Sequence, residues 1–380
     1  MLTSPPRVLF LRSHSKICAL SFIANGLAQS STLEFEQYPP LPPKYRSKLQ
    51  KLPHPEMAWQ DLNRNCIPTS DELVQKITDG YFDGVLLADH DGLLSQYQNM
   101  NWFQISWVRA RLWKQARHDF QTQYQYWLSL PYSITQLCQN LPVAIVDLSD
   151  YPYLPPSVSQ DILNSCAAYF KREIPYNRFI LYHAWLEFRF FSRAGKNTQL
   201  VSLLDKVHGI PLGIPDTKFH ELTTLRTQEQ DIDLLWVGRM SNSMRAKAVT
   251  LLKEYATRTS WKILIPEKRL SYTEFCRTVA RSKITLSVEG GGWDCDRHYE
   301  AAALGSLPLI NTPTVDAVWW HTMPPQIFFK NDFSNFFSRI EQLLRNDALR
   351  QDCLQTLDAQ IRTHMLWSKI VEYMIETLKK

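Results

Sequence analysis

Short apolar runs recur along the chain and alternate with longer segments in which polar and apolar positions mix. Such runs predict buried strands, and the mixed segments between them predict helices. The predicted strands are residues 7–11, 83–88, 143–146, 231–238, 261–266, 284–288 and 307–310. The predicted helices are residues 18–28, 71–77, 246–255, 271–281, 297–304, 332–345, 351–364 and 368–379. This alternation predicts an α/β fold built on parallel sheets.

Residues 283–310 form the most informative stretch, because a strand, a glycine turn, a short helix and a second strand follow one another within it. Gly290, Gly291 and Gly292 let the backbone adopt positive φ or approach a ligand with no Cβ in the way. Gly305 is suited to end the helix. The stretch is therefore predicted to be a compact βαβ unit.

A ligand is expected at the carboxyl end of the strand at 284–288, since open α/β sheets bind ligands outside the carboxyl ends of their strands. Asp296 can cap the next helix, whose free N–H groups and dipole favour an anion such as phosphate. The residues expected at this site are Glu289, Gly290, Gly291, Gly292, Asp294, Asp296 and Arg297.

A similar arrangement follows residues 231–238, where a strand leads into a glycine, a basic turn and a helix. One Gly-Arg pair is a weak signal, but this is the first strand-to-helix turn of the same predicted domain. Cationic and hydroxyl side chains here are able to reach a diphosphate. They are Arg239, Ser241, Arg245 and Lys247.

The run at 297–310, RHYEAAALGSLPLI, resembles the donor-site helix of GT-B glycosyltransferases, particularly the exostosin-like and related bacterial group 1-like sugar transferases. The resemblance implies two Rossmann-like α/β domains facing across a cleft and a nucleotide-activated sugar as donor. It also implies that Glu300 accepts hydrogen bonds from the ribose; the alternative is an ion pair with Arg297. Many retaining relatives carry two Glu separated by seven residues, but Gly292 occupies the position of the first one here.

Residues 294–296 spell Asp-Cys-Asp, which matches the Asp-x-Asp metal motif of the other large transferase fold. We favour a site without metal, because Asp296 also suits a helix cap and the GT-B resemblance requires no bound metal. Cationic side chains and the helix N-terminus would instead stabilise the departing nucleoside diphosphate. The nucleotide sugar is expected as a co-substrate, with no cofactor.

Candidate bases for an acceptor hydroxyl follow the predicted strands of the N-terminal half. An unperturbed His titrates at about pH 6.5, which suits proton transfer, although helix capping or solvation would explain the histidine after the first strand equally well. The Asp-Gly pair after residue 90 is also an ordinary turn. The candidates are His14, Asp89, Asp91 and Asp147.

Composition narrows the class of protein. With 380 residues, 44% of them hydrophobic, the chain is long enough for two domains with cores of their own. The formal charge of +5 is spread over the sequence, so no nucleic-acid partner is expected. Seven scattered cysteines, with no CxxC spacing, indicate neither a zinc site nor a disulfide framework. We expect a reduced, cytoplasmic protein.

Residues 97–128 interleave tryptophans with basic side chains. A helix of this kind can lie on an anionic membrane surface and reach a lipid-linked acceptor. An amphipathic helix packed on the sheet explains the same pattern with fewer assumptions. The sequence does not decide between these two interpretations, so peripheral membrane contact is one of two alternatives for this segment.

The sequence predicts an N-terminal acceptor domain over residues 1–208 and a nucleotide-sugar donor domain over 209–365. A final helix in 366–380 is expected to cross back to the first domain. The predicted activity is transfer of a sugar to an acceptor hydroxyl on a glycan, a lipid-linked molecule or a small molecule. The alternatives are a non-catalytic nucleotide- or sugar-binding protein and a GT-B-shaped phosphorylase or epimerase.

Overall fold

The computed structural model describes residues 4–12, 17–41, 43, 46–49, 55–88, 134–154, 158, 160–182, 198–227 and 229–379. The chain divides into two compact units. The first comprises Met1–Ile210 with Val371–Lys380, and the second comprises Pro211–Ile370. The division after Ile210 falls inside the Gly- and Pro-rich segment 208–215, where the sequence predicts a connector. None of the described helices is both long enough and apolar enough to span a membrane.

The first unit contains a sheet of parallel strands in the order β2-β1-β3-β4-β5-β6. Both faces of β3 and β4 are buried, which is why GVLLA and VAIVD read as continuous apolar runs. The strands are β1 Arg7–Arg12, β2 Glu34–Tyr38, β3 Gly84–Ala88, β4 Val143–Asp147, β5 Ala168–Lys171 and β6 Val207–Gly209. The helices are α1 Ile17–Gln29, α2 Arg46–Leu49, α3 Pro55–Asn63, α4 Ser70–Thr78, α5 Ile134–Asn140, α6 Gln160–Ser165 and α7 Thr198–Leu204, with a 3₁₀ turn at Arg178–Tyr182.

The second unit has its own parallel sheet in the order β11-β10-β9-β7-β8. Its strands are β7 Ile232–Trp236, β8 Ile263–Leu264, β9 Ser282–Ser287, β10 Leu307–Asn311 and β11 Phe328–Phe329. Its helices are α8 Asp216–Thr224, α9 Ser243–Ala256, α10 Tyr272–Ala280, α11 Asp296–Ala303, α12 Phe336–Arg345 and α13 Asp347–Gln360. A π turn at Ile361–Met365 leads to α14, Trp367–Leu378, whose residues from Val371 onward group with the first unit.

When the strands are numbered within each unit, the first sheet has the doubly wound order 2-1-3-4-5-6 and the second has the order 2-1-3-4-5. In this topology the chain changes direction across the sheet between the first and third strands. The change lies between β1 and β3 in the first unit and between β7 and β9 in the second. Ligands of doubly wound sheets bind at the carboxyl ends of these two strands.

Several predicted elements have different boundaries in the structure. Helix α10 begins with a capping box, in which Ser271 and Glu274 each accept from the other's backbone N–H. The predicted strand at 261–266 is reduced to Ile263–Leu264, and the helix predicted from residue 332 begins at Phe336. Pattern analysis missed β2, β5, β6 and β11, and residues 97–128 lie outside the described residues.

The predicted connector is a packed segment where it enters the second unit. Gly213 has φ of +64°, and Ile214 forms an isolated bridge with Leu366. The indole N–H of Trp367 donates to the carbonyl of Leu212 at 2.9 Å. A Cβ on Gly213 would lie 2.4 Å from Ile370 Cδ1 and 2.7 Å from the carbonyl oxygen of Met365. This residue must be glycine for the segment to pack as it does.

Replacing Gly213 by Ala should therefore destabilise the protein more than replacing Gly80, which has φ of +66° but open space around its missing Cβ. We expect Gly80→Ala to cost about 1 kcal/mol, the conformational penalty alone. Gly213→Ala should cost about 2 to 5 kcal/mol, because the clash adds to that penalty. Thermal and urea unfolding of both variants provide the measurement, and equal costs would contradict the packing argument.

Candidate functional site

The turns that follow β7 and β9 lie side by side, because the two strands are neighbours in the sheet. Gly238 comes shortly after β7, and the three glycines 290–292 come shortly after β9. Helix α11 begins at Asp296, a few residues beyond the triglycine turn. The second unit thus brings together the two glycine turns that the sequence singles out, at the position where its topology predicts a ligand.

Arg297 lies directly against the first of these turns. A Cβ on Gly238 would be only 2.6 Å from Arg297 Nη2, so a larger residue would displace the guanidinium from this position. The same guanidinium lies over the ring of Trp236, with Cζ 5.4 Å from the ring centroid. Nη1 of Arg297 is buried and has no hydrogen-bond partner among the described residues. A buried cationic donor without a partner is expected to bind an acceptor.

Within the triglycine turn, Gly290 allows the close approach of another group. The described glycines with positive φ are Gly80, Gly213 and Gly305, so of the two alternatives for residues 290–292 positive φ is not observed. Gly290 N–H donates to the carbonyl of Gly292 at 2.8 Å, which tightens the turn. A Cβ on Gly290 would lie 2.8 Å from Arg245 Nη2. Gly305 has the predicted role and follows the end of α11 with φ of +85°.

Arg245 is buried, with 7% of its surface exposed, and its guanidinium donates to backbone carbonyls. Nε donates to Glu289 O at 2.8 Å and Nη2 to Val288 O at 3.1 Å. Nη1 donates to Arg239 O and to the hydroxyl of Ser241, both at 3.2 Å. Burial, followed by the charge of Arg297, lowers the pKa of Arg245. In this structure Arg245 holds the turn, whereas the sequence predicts that it contacts the ligand.

Two other cations near this turn, Arg239 and Lys247, are both exposed but differ in their contacts. Arg239 is exposed, and no hydrogen bond of its guanidinium to a described residue is present. Lys247 lies over the ring of Phe333, with Nζ 4.7 Å from the ring centroid. Arg239 is therefore the better placed of these two side chains to meet an anion in solution.

Glu289 is half-buried and held in one orientation by Asn311. Glu289 N–H donates to Asn311 Oδ1 at 2.9 Å, and Asn311 Nδ2 donates to Glu289 Oε2 at 3.0 Å. The hydroxyl of Thr314 donates to the same carboxylate oxygen at 3.2 Å. The second carboxylate oxygen has no hydrogen bond to the described residues. The sequence indicates Glu289 and predicts a loop over residues 311–316 near the same sheet edge, but it does not predict the contacts of Asn311 and Thr314 with Glu289.

Two aspartates after the turn have structural contacts that differ from the predictions. Asp294 is buried and accepts hydrogen bonds from Tyr299 Oη at 2.8 Å and from Leu212 N at 2.6 Å. Asp296 does not cap α11: the N-cap is Cys295, whose side chain makes no capping hydrogen bond, and Asp296 is the first helical residue. No group of three or more His, Cys, Asp or Glu within the described ranges is arranged to hold a metal ion.

Glu300 pairs with Lys218 of α8 at 2.8 Å, and both side chains are nearly buried. Burial disfavours the charge on Lys218, but the carboxylates of Glu300 and Asp296 outweigh this and raise its pKa. The alternative Arg297–Glu300 pair is not observed. A ribose would therefore meet a carboxylate that already has a cationic partner.

His298 anchors the start of α11 from within the core. Its Nε2 lies 3.0 Å from the carbonyl of Trp293, and its Nδ1 lies 2.8 Å from Ser287 Oγ. A carbonyl only accepts, so the neutral ring carries its proton on Nε2 and accepts from Ser287 at Nδ1. Burial lowers the pKa of His298 to about 4.

The candidate bases of the first unit are only partly described. His14, Asp89 and Asp91 follow β1 and β3 in the sequence but lie outside the described residues, so their roles stay predictions. Asp147 ends β4 and is fully buried. It accepts from Lys171 Nζ and from Tyr169 Oη, both at 2.9 Å. A base that deprotonates a bound hydroxyl must be accessible to it, so this geometry favours a structural role for Asp147.

Asp147 and Lys171 form a fully buried ion pair. Burial alone would raise the pKa of Asp147, but the charge and hydrogen bond of Lys171, together with Ser149, lower it below its ordinary value. Ser149 N–H donates to the other carboxylate oxygen at 2.8 Å, and Lys171 also donates to Ser149 Oγ. These contacts join the ends of β4 and β5.

Pattern analysis missed Asn242, Lys218 and Asn311, each of which contacts a predicted site residue. Only Asn242 has a sequence signal. It precedes a predicted helix, where Asn is a favoured N-cap, and its side chain does cap α9. The other two reach the site through tertiary packing.

No family model matches the chain, and no curated protein does. Among solved structures, the chain is similar to an α-glucosyltransferase in complex with UDP and a 13-mer DNA containing an HMU base. The identity is 11%, the TM-score is 0.50, and the match covers 99% of this chain and 100% of that one. At this identity the likeness concerns the fold alone. It confirms the predicted fold class, two parallel-sheet α/β domains of the GT-B type.

Two further solved structures have TM-scores too low for a structural argument. One is a UDP-GlcNAc 2-epimerase from Neisseria meningitidis bound to UDP-GlcNAc, with 11% identity, a TM-score of 0.40 and coverage of 98% of this chain and 99% of that one. The other is the glycotransferase of kitacinnamycin, with 10% identity, a TM-score of 0.39 and coverage of 99% and 100%. The exostosin-like assignment stays a prediction.

The lowered pKa of His298 predicts a pH dependence for the second unit. The unfolded chain binds this proton near pH 6.5 and the folded one only near pH 4, so the free energy of unfolding should fall as the pH drops through this window. The slope is at most about 1.4 kcal/mol per pH unit. His298→Gln should reduce it, which urea unfolding at pH 7 and pH 4.5 can measure. A variant that retains the full wild-type slope would show that another group is responsible.

Removing Lys171 should leave the Asp147 carboxylate buried without its cation. We expect Lys171→Met to destabilise the first unit by about 3 to 5 kcal/mol. The double variant Asp147→Asn with Lys171→Met removes both charges and should be more stable than Lys171→Met alone. Chemical unfolding of both variants tests this, and a double variant that is the less stable of the two would refute the ion-pair account.

Proposed function

We propose that the chain is a glycosyltransferase that uses a nucleotide-sugar donor, and that the second unit binds the diphosphate of this donor. One observation carries the proposal: Arg297 presents a buried Nη1 without a hydrogen-bond partner among the described residues, against Gly238 and at the start of α11. A guanidinium and a helix N-terminus both favour phosphate oxygens. The developing charge on a leaving nucleoside diphosphate requires the same groups.

The remaining residues have complementary roles in this proposal. Arg239 is exposed in the neighbouring turn and supplies a second cation to the diphosphate. Glu289, with one carboxylate oxygen held by Asn311 and Thr314, presents the other oxygen to hydroxyl groups of the donor. Glu300 is proposed for the ribose, shared with Lys218. The resemblance of residues 297–310 supports the exostosin-like or group 1-like assignment.

The acceptor belongs to the first unit in this proposal. Its base would come from His14, Asp89 or Asp91, which follow the two strands at the topological switch of that sheet in the sequence. Asp147 is the weakest of the four candidates, because it is buried in an ion pair. The acceptor would be a hydroxyl of a glycan, a lipid-linked molecule or a small molecule. No metal takes part in the proposed reaction.

Binding of nucleotides tests the proposed role of Arg297. UDP is the first ligand to use, because the similar α-glucosyltransferase structure contains it. Arg297→Ala should weaken UDP binding about 10- to 100-fold in calorimetry, since hydrogen bonds to charged groups contribute about 1.5 to 3 kcal/mol. Arg281→Ala is the matched control, because Arg281 is an exposed arginine of the same unit that pairs with Asp231. It should leave the affinity unchanged.

Equal UDP affinities of the wild type and Arg297→Ala would exclude the proposed diphosphate site. GDP, ADP and CMP should be tested in parallel, because the base is not specified by the residues described here. Incubation with a panel of nucleotide sugars then distinguishes the activities. A transferase releases nucleoside diphosphate, an epimerase forms an isomeric nucleotide sugar, a phosphorylase requires phosphate, and a binding protein changes none of them.

A further inference from the structure

Asn242 and Arg245 connect the first turn of α9 to the triglycine turn, although the two segments are far apart in the sequence. Asn242 Nδ2 donates to Gly290 O at 2.9 Å and to Glu289 O at 3.2 Å. Arg245 donates to the carbonyls of Glu289 and Val288. Five hydrogen bonds therefore run from one helix terminus to three successive carbonyl groups, because Arg245 Nε also donates to Val288 O at 3.3 Å. We refer to Asn242 and Arg245 together as the turn clamp.

The two clamp residues also hold each other. Asn242 Oδ1 accepts from Arg245 N–H at 2.9 Å, so the side chain caps α9 with its oxygen and binds the triglycine turn with its nitrogen. Because an amide oxygen accepts and an amide nitrogen donates, these partners determine which of the two atoms faces the helix and which faces the turn. Arg245 is fixed in turn by Arg239 O and by Ser241 Oγ. Asn242 caps α9 and Arg245 lies in its first turn. The helix holds both residues in place, so they can restrain a turn of three glycines.

Such a turn needs restraint, because glycine loses more conformational freedom on ordering than any other residue. A turn that becomes ordered only on binding would reduce ligand affinity by that entropy. A turn that the clamp has already ordered would not lose ligand affinity in this way. The position of Arg245 in turn requires glycine at residue 290, since a Cβ there would lie 2.8 Å from Arg245 Nη2.

We infer that Asn242 and Arg245 are positioning residues, which order the triglycine turn before the nucleotide diphosphate binds and do not contact the ligand themselves. This inference rests on the proposed function for the identity of the ligand. It assigns Arg245 a role different from that of Arg297, although both are arginines beside a glycine turn. It adds Asn242, which no sequence motif marks as a site residue.

The test uses a substitution that removes the clamp and keeps the helix. Asn242→Ser retains an N-cap hydroxyl for α9 but lacks the amide that reaches Glu289 O and Gly290 O. The matched control is Asn346→Ser, because Asn346 caps α13 in the same way, accepting from Leu349 N–H at 2.9 Å, away from the triglycine turn. Arg245→Lys is a second variant, whose single ammonium cannot bridge the same carbonyls.

Two measurements on the full chain are compared. Hydrogen exchange without ligand should be about tenfold faster for peptides spanning 289–292 in Asn242→Ser and Arg245→Lys, but unchanged in Asn346→Ser. UDP binding by calorimetry should be about tenfold weaker in the first two variants and unchanged in the control. A purely structural role would lower the melting temperature and leave the affinity of the folded protein unchanged.

Each outcome has one meaning. Unchanged exchange at 289–292 in Asn242→Ser overturns the clamp, and faster exchange with unchanged UDP affinity overturns its role in binding. If the wild type binds none of UDP, GDP, ADP and CMP, the proposed function fails. The exchange data would then still decide whether the clamp orders the turn.

Discussion

The hydrogen bonds from Arg245 to the carbonyls before the triglycine turn are the contact on which the candidate site depends. Strands β7 and β9 bring two turns to the same sheet edge, but the ladder between them ends at the pair Trp236 and Leu286, so the turn carbonyls beyond it have no partner in this ladder. Buried carbonyls of this kind must be satisfied by another group. One guanidinium, with five donors in a planar fork, satisfies several of them at once. It thereby fixes the second turn relative to the first.

Glycine and arginine act as pairs in this site. Gly290 makes room for Arg245, and Gly238 makes room for Arg297. In each pair the absence of a side chain on one turn allows a planar cation to lie against the backbone of that turn. The outcome differs because backbone carbonyls lie within reach of Arg245. The guanidinium of Arg245 donates to acceptors within the protein, whereas Nη1 of Arg297 has no hydrogen-bond partner in the part of the chain that the structure describes.

The sequence predicts those features that depend on local pattern. The apolar runs predict β1, β3, β4, β7, β9 and β10 within about a residue at most ends. Strands β5 and β6 were missed because one contains Lys171 and the other is a three-residue strand in a segment that looks like a linker. A charged residue reads as exposed unless its buried partner, here Asp147, is known.

The candidate site shows the same limit. The sequence locates the glycines, Arg297 and Glu289, because special residue types follow predicted strands. It does not distinguish a ligand-facing arginine from a structural one, since the difference between Arg297 and Arg245 arises from which carbonyls lie within reach. Nor does it identify Asn311 and Lys218, whose contacts with Glu289 and Glu300 depend on tertiary packing. The sequence therefore predicts which residues lie at the candidate site, but it does not predict their hydrogen-bond and ion-pair partners.

The electrostatics of the second unit favour an anion for a reason separate from any single hydrogen bond. Burial lowers the pKa of Arg245, and the charge of the nearby Arg297 lowers it further, against a smaller opposing effect of Glu289. Neither guanidinium forms an ion pair with a carboxylate among the residues described, and Arg245 relies on backbone carbonyl dipoles. Two neighbouring cations in a partly desolvated site repel each other. An anion with two or more charges relieves this repulsion, whereas a neutral sugar does not. A nucleotide sugar would therefore be held mainly through its diphosphate, which leaves the sugar to be selected by weaker contacts such as those of Glu289.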